Sequence, residues 1–510
     1  MMLPPLRSAR RLAFVGLAVL SLSLTAQTPA PTPTPAAPAT NEILDAAPPT
    51  RPQRPTYSFA PGVEIPPGPT GLSWDSVKAN FRVPAWLLDG KFGIFIHWGV
   101  YTVPAHHNEW YARHMYSNGG IIKWHRENFG PQNKFGYKDF IPLFKAEQFD
   151  AAAWAALFKQ AGARFVVPCA EHHDRFAMWD SKLTKWNAKQ MGPRRDIIGE
   201  LATSVRAQGL KFGVSNHRMF AYDFMVPAKG LATDLYDPAF ADFYGPLATE
   251  PKTLPTQEFC NDWLARTIEL IELYQPDFLW FDWDGTGAQN PVKLQFAAYY
   301  FNRAAQRGQA VALSQKGDTF PFGTGISSHE KGGRMPKEIT PNVWMVDDVI
   351  SDRSWSYVTG MKYRSAGSIV QELCDAVSKN GTLMLNISPR SDGVIPQEQQ
   401  DILRSIGRWL EQNGEAIYST RPWSQYSDGA DVRYTRKDDT LYALCLKWPA
   451  APLDLPALAT GKAGAIRSVA LLGSAEPVAF VQDAAGLHLT LPANPPGEHA
   501  WALKIAGALP

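Results

Sequence analysis

The chain has 510 residues, enough for one large domain and a smaller one. Its 50 basic and 48 acidic side chains nearly cancel, and no basic run follows the amino terminus, which argues against a nucleic-acid partner. Charged residues, at 19%, are scarcer than in an average domain, and aromatic residues, at 12%, are abundant. Such rings fill a large core or present flat apolar faces to the C–H side of a sugar.

Arg7, Arg10 and Arg11 precede a short apolar run over 12–24, with Ala26 and Gln27 where a cleavage site belongs. Residues 1–27 read as a signal peptide, so the mature chain is expected in the periplasm or outside the cell. Residues 28–67 are rich in Pro, Ala and Thr and read as a disordered tether. No later stretch is long and apolar enough for stable membrane insertion. Cys169, Cys260, Cys374 and Cys445 are too widely spaced for a metal site, and export permits disulfides without requiring them.

From Trp74 onward, short apolar runs alternate with longer helical patterns. The spacing predicts a strand over 92–98 (FGIFIHW), a helix over 151–160, a strand over 164–170 (RFVVPCA) and a helix over 196–208. There follow a strand over 211–215, a helix over 262–274, a strand over 277–282 (DFLWFD), a helix over 292–305 and a strand over 310–314. Residues 343–350 form a further candidate strand, then come a helix over 367–379, a strand over 382–387 and a helix over 396–411. Repeated strand–helix alternation with seven or eight strands predicts a (β/α)8-like barrel over 68–423. A doubly wound sheet is the runner-up, weakened because no GxGxxG follows the first strand. Over 424–510 the segments become short, β-rich and punctuated by Gly, Pro and Asp, which predicts a small β-sandwich.

Polar residues gather where the predicted strands end, and in a barrel those ends converge on one face. His97, Trp98 and Gly99 end the first strand, Glu171 to Asp174 the second, Ser215 to His217 the third, and Asp282 to Asp284 the fourth. Each alone is as readily a buried structural residue or a helix cap; four sets at one end favour a site. His172 and His173 invite a metal reading, but neighbours on an extended strand point to opposite sides unless the chain turns. No metal and no cofactor are therefore expected. Asp282, at the end of an apolar strand, is the strongest candidate for a carboxylate nucleophile, with Asp284 competing. Its partner, a carboxyl group that protonates a leaving oxygen, is sought in Glu330, in the glycine-flanked stretch 327–333 (SSHEKGG), with Glu109 competing.

At these residues the sequence resembles the α-L-fucosidases of glycoside hydrolase family 29. The resemblance runs in order through 91–99 (KFGIFIHWG), 108–111 (NEWY), 171–176 (EHHDRF), 181–187 (SKLTKWN), 192–196 (GPRRD), 279–282 (LWFD), 377–393 (VSKNGTLMLNISPRSDG) and 414–421 (GEAIYSTR). It implies the same barrel and sandwich, a retaining exo-α-L-fucosidase, and a fucosylated oligosaccharide or glycoconjugate as substrate. It implies Asp282 as nucleophile, Glu330 as acid/base, and His97, Glu109, Trp110, His172 and His173 as sugar-binding residues. His217 and Trp283, at the third and fourth strand ends, complete the expected set. A glycosidase of a related sugar, such as an α-L-galactoside, and a non-catalytic carbohydrate-binding protein are the competing readings. The oligomeric state is left open, a homo-oligomer included. Three departures stand out: Arg175 replaces the usual glycine, Ser215 to His217 replace a tyrosine or histidine before serine, and Met345 replaces a glutamate after tryptophan.

Overall fold

The structure is a computed structural model that describes residues 55–449 and 452–509. The expected signal peptide and most of the expected tether lie outside the described residues. Residues 55–67, grouped with the tether by composition, instead lie against the barrel. The Tyr57 hydroxyl donates to the Pro255 carbonyl at 2.9 Å, Ala60 exchanges two hydrogen bonds with the Gln295 side chain, and Asn302 Nδ2 donates to the Pro66 carbonyl.

Eight parallel strands close into a barrel in sequence order: β1 (Phe92–Ile96), β2 (Phe165–Glu171), β3 (Lys211–Asn216), β4 (Phe278–Phe281), β5 (Ala312–Lys316), β6 (Ile326–Glu330), β7 (Trp344–Val349) and β8 (Gly381–Ile387). Apart from β6, they are largely apolar on both faces because helices cover the outside and side chains fill the inside. The helices start at polar caps: Asp150, Asp196, Thr256, Asn290 and Ser365 each accept a backbone N–H from the first turn, and Pro291 occupies the first position after its cap. The strand-to-strand regularity breaks around β6. The connections from β5 to β6 and from β6 to β7 carry no α-helix, only one short 3-10 turn, Gly332–Arg334.

Alternation along each strand sets the site. Phe95, Phe165, Val167, Phe278, Trp280, Ala312, Ile326, Met345 and Met384 cluster as one buried plug inside the barrel. Gly93 leaves room for it, since a Cβ there would meet the Phe165 ring at 2.2 Å. Two residues above that plug come His97, Asp282, Ser328, Asp347 and Asn386, and two beyond Ser328 comes Glu330, on the carboxyl side.

The carboxyl-terminal domain holds a five-stranded and a three-stranded antiparallel sheet around their own core. Its first strand, Arg421–Asp428, straddles the expected boundary at 423. It packs on the outer helices Ala366–Ser378 and Gln397–Asn413: Gln371 Nε2 donates to the Leu446 carbonyl and Trp409 Nε1 to the Ala500 carbonyl. It contributes nothing to the lining of the barrel mouth. All four cysteines are buried and free. No helix among the described residues is long and apolar enough to cross a membrane.

Candidate active site

A cavity of about 770 Å³ opens at the carboxyl ends of the strands, lined by His97, Glu109, Trp110, His172, His217, Asp282, Trp283 and Glu330 among others. Asp282 sits at its centre, one residue beyond β4. Its Oδ1 is 3.0 Å from Lys316 Nζ and accepts the Trp283 backbone N–H at 2.8 Å. Its Oδ2 is 3.5 Å from His173 Nε2 and 3.4 Å from His217 Nδ1. Burial alone pushes this carboxyl up, but the Lys316 ammonium and the two imidazoles outweigh it and hold Asp282 well below the usual carboxylate range. That environment favours the ionised carboxylate.

His97, His172 and His217 are oriented rather than charged. Asn386 Oδ1 accepts both the backbone N–H and the Nδ1–H of His97, while Asn386 Nδ2 donates to the Trp355 carbonyl, so the amide cannot be reversed. His97 therefore presents an unprotonated Nε2. His173 Nδ1 donates to the His217 carbonyl at 2.9 Å, and His217 Nε2 lies 3.0 Å from the Ser215 hydroxyl. Desolvation drives His97 and His172 well below the usual imidazole range and His217 to about 4. His172 Nδ1 is buried without a protein partner among the described residues. Neutral imidazoles at fixed angles suit hydroxyl groups, which both donate and accept.

His172 and His173 do not point to opposite sides: their ring centroids are 4.4 Å apart. The chain turns immediately after β2, with the Arg175 N–H bonded to the His172 carbonyl. The alternation argument against a shared site fails there. Ring nitrogens of His97, His172 and His217 come within 4.8 Å of one another, as do the ligand atoms of His173, His217 and Asp282, a spacing that would also admit a metal ion.

Glu330 is the last residue of β6 rather than part of a loop, and its Oε2 is 3.2 Å from the same Lys316 ammonium. Glu109 is buried at the cavity wall, where its Oε2 accepts the Trp355 backbone N–H at 3.1 Å and the Ser354 hydroxyl at 3.3 Å; burial raises its pKa. Trp110 stands edge-on to His173, 6.0 Å between ring centroids, and Trp283 is 48% exposed at the mouth beside Phe220. Asp284 is turned away and paired with buried Lys293 at 2.8 Å, which removes it as a nucleophile. Glu171 and Asp174 are structural: Glu171 pairs with Arg218, and Asp174 accepts the Tyr137 hydroxyl at 2.7 Å.

Three site residues escaped the sequence reading. Lys316 bridges the two carboxylates. Asp347 pairs in register with Glu330 across β6 and β7, and its Oδ1 accepts the Ser328 hydroxyl. Its burial raises it to about 6. Asn386 orients His97. Each occupies the inward position two residues above a plug or small inward residue, a signal readable once the strands are known.

The sequence matches the family description "Alpha-L-fucosidase" over residues 66–415 and "Alpha-L-fucosidase C-terminal domain" over 427–506. It is similar to the plasma alpha-L-fucosidase of Homo sapiens, 32% identical over 461 residues, covering 86% of this chain and 92% of that one. It is 31% identical over 455 residues to the tissue alpha-L-fucosidase of Rattus norvegicus, covering 85% and 91%. Its structure superposes on that of the Thermotoga maritima alpha-fucosidase with a TM-score of 0.70 at 27% identity, covering 86% of this chain and 100% of that one. The chain belongs to the alpha-L-fucosidase family and is a glycoside hydrolase that acts on alpha-L-fucosides.

Proposed function

We propose that the enzyme removes terminal α-L-fucose with retention of configuration, by double displacement through a fucosyl ester on Asp282. The observation that carries this is the shared ammonium. Lys316 Nζ lies 3.0 Å from Asp282 Oδ1 and 3.2 Å from Glu330 Oε2. The two carboxylate oxygens are thus at most about 6 Å apart, short of the roughly 6.5 Å at which inverting pairs begin. That spacing favours direct attack by Asp282 over attack by a water held between them.

In the first step Asp282 attacks the anomeric carbon while Glu330 gives its proton to the departing oxygen. In the second, Glu330 takes a proton from water as that water displaces the ester. His97, His172, His173 and His217 hold the ring hydroxyls, and Trp110 covers an apolar edge. The barrel plug closes the cavity from below, which suits a terminal sugar.

The test is the anomer formed first from an aryl α-L-fucoside, followed by NMR. α-L-Fucose is expected; β-L-fucose as first product overturns both carboxylate roles. Asp282→Asn should lower kcat by about a thousandfold or more. Glu330→Ala should be partly rescued by azide and Glu109→Ala should not; the reverse pattern transfers the acid/base role to Glu109.

A further inference from the structure

The charges of this cavity are segregated by depth. Of the carboxylates that line it, Asp347 is fully buried and Glu109 is 7% exposed, while Asp282 and Glu330 are 18% and 28% exposed along their side chains and share Lys316. The cations lie at the mouth. Lys331, Arg334 and Arg353 all line the cavity, and the last two are 74% and 54% exposed along their side chains.

These three are poorly neutralised. Lys331 makes no ion pair among the described residues. Its backbone is fixed in the left-handed region, φ 62°, with its N–H bonded to the Asp347 carbonyl. Arg334 approaches a carboxylate only at 3.8 Å, and that carboxylate is Glu330, which must carry a proton in the first step. Arg353 is anchored by Nη2 on the Gly360 carbonyl at 2.8 Å and is 3.6 Å from exposed Asp352. Nearby, Asp318 accepts the Trp283 indole N–H at 3.2 Å.

The three cations come from the segments that follow β6 and β7, the side that carries Glu330. A leaving-group oxygen must sit against Glu330, so the rest of the leaving group extends past them. Exposed Trp283 offers that group a flat apolar face across the mouth.

Resting on the fucosidase reading above, we infer that the leaving-group subsite selects an anionic sugar, one bearing a sulfate ester or a carboxylate near the fucosidic bond. Three cations at the mouth raise the local concentration of such a substrate, and water screens the effect at high salt. Each guanidinium offers paired donors to a sulfate or carboxylate.

The test compares three disaccharides: fucosyl-galactose, its 6-sulfated form, and a fucosyl-glucuronate. Fucose release is measured at low and at high sodium chloride. At low salt kcat/KM should favour one or both anionic substrates by about tenfold, mostly through KM. The sulfated and uronate arms tell which anion fits. High salt should bring the preference down to about twofold. The triple variant Lys331→Gln, Arg334→Gln, Arg353→Gln should abolish it while hydrolysing an uncharged aryl fucoside as the wild type does. Equal rates on all three disaccharides at low salt, or a preference that survives in the triple variant, overturn the inference and leave the fucosidase reading intact. Failure to cleave any fucoside, the aryl one included, instead defeats that reading.

Discussion

Arg175 stands where the family usually carries glycine, and the reason for glycine is visible: φ there is +70°. A left-handed conformation costs a side-chain-bearing residue about 1–2 kcal/mol. Against this, the buried guanidinium donates to four carbonyls, those of Tyr244, Gly245, Ala221 and Pro246, and lies over the Phe259 ring at 5.1 Å. Burial lowers its pKa to about 9, so part of the gain is spent on desolvation. Charged hydrogen bonds contribute about 1.5–3 kcal/mol each. Even if only two of the four count fully, their loss exceeds the relief of strain by about 2 kcal/mol. Arg175→Gly should therefore destabilise, and Arg175→Ala, which keeps the strain, should destabilise more. Unfolding roughly 450 ordered residues changes entropy by about 1 kcal/mol per kelvin, so Arg175→Gly should lower Tm by about 2 °C. The strap also positions function. It ties the double-histidine turn to the segment bearing Phe220 and Phe224, whose rings pack 5.0 and 4.9 Å from His173. KM for an aryl fucoside should rise with little change in kcat, and Arg175→Lys should recover part of it. Calorimetry and steady-state kinetics decide. A glycine variant as stable as the wild type, with unchanged KM, refutes the reasoning.

Two further outcomes follow from the charges around Lys316. Lys316→Met removes the main charge that holds Asp282 ionised, so the acidic limb of kcat/KM should move to higher pH and the plateau should fall by at least about tenfold; an unmoved limb contradicts the role given to the ammonium. Asp347 is held neutral by burial up to about pH 6 in the fold, whereas unfolded it ionises near 3.8. The native state thus binds the extra proton between those values, and this contribution to stability is lost as pH rises through 6. Asp347→Asn should gain Tm over the wild type as pH goes from 4 to 8, and a difference flat in pH shows that Asp347 is already ionised at the acid end.

The barrel was legible because its strands are continuous apolar runs and its helices are amphipathic with good caps. What was not legible was β6. Its sequence, Ile326 to Glu330, is polar at every position after Ile326 and has no α-helix on either side, so the strand–helix rhythm skips it. Missing β6 placed Glu330 in a loop. Asp347 lay inside the candidate strand at 343–350, but its place beside Glu330 shows only through the β6–β7 register. Lys316 escaped because the predicted fifth strand stopped at 314, two residues short. Asp282 and the histidines were found because their strands were found. The turn at 172–175 was unreadable from residue types, since the residue in the left-handed position is an arginine. Composition also extended the tether too far, because what orders residues 55–67 is hydrogen bonding to Gln295 and Asn302, more than two hundred residues away.

Under the proposed mechanism one ammonium serves both half-reactions. Before attack, Lys316 faces three carboxyl groups, those of Asp282, Glu330 and Asp347, and these together raise its own pKa against the cost of burial. Asp282 takes the closest contact, 3.0 Å against 3.2 Å for Glu330, and its carboxyl is the one held well below the usual range. Formation of the fucosyl ester cancels the charge on Asp282. The ammonium is then unbalanced, and Glu330, having just lost its proton, is the carboxylate beside it. The same ammonium then stabilises Glu330 as a base until water arrives. The covalent step itself transfers the electrostatic partner from one carboxylate to the other. A methionine at 316 leaves both carboxylates near each other without a counter-charge, which is why its effect should appear in the pH profile and not merely in the rate.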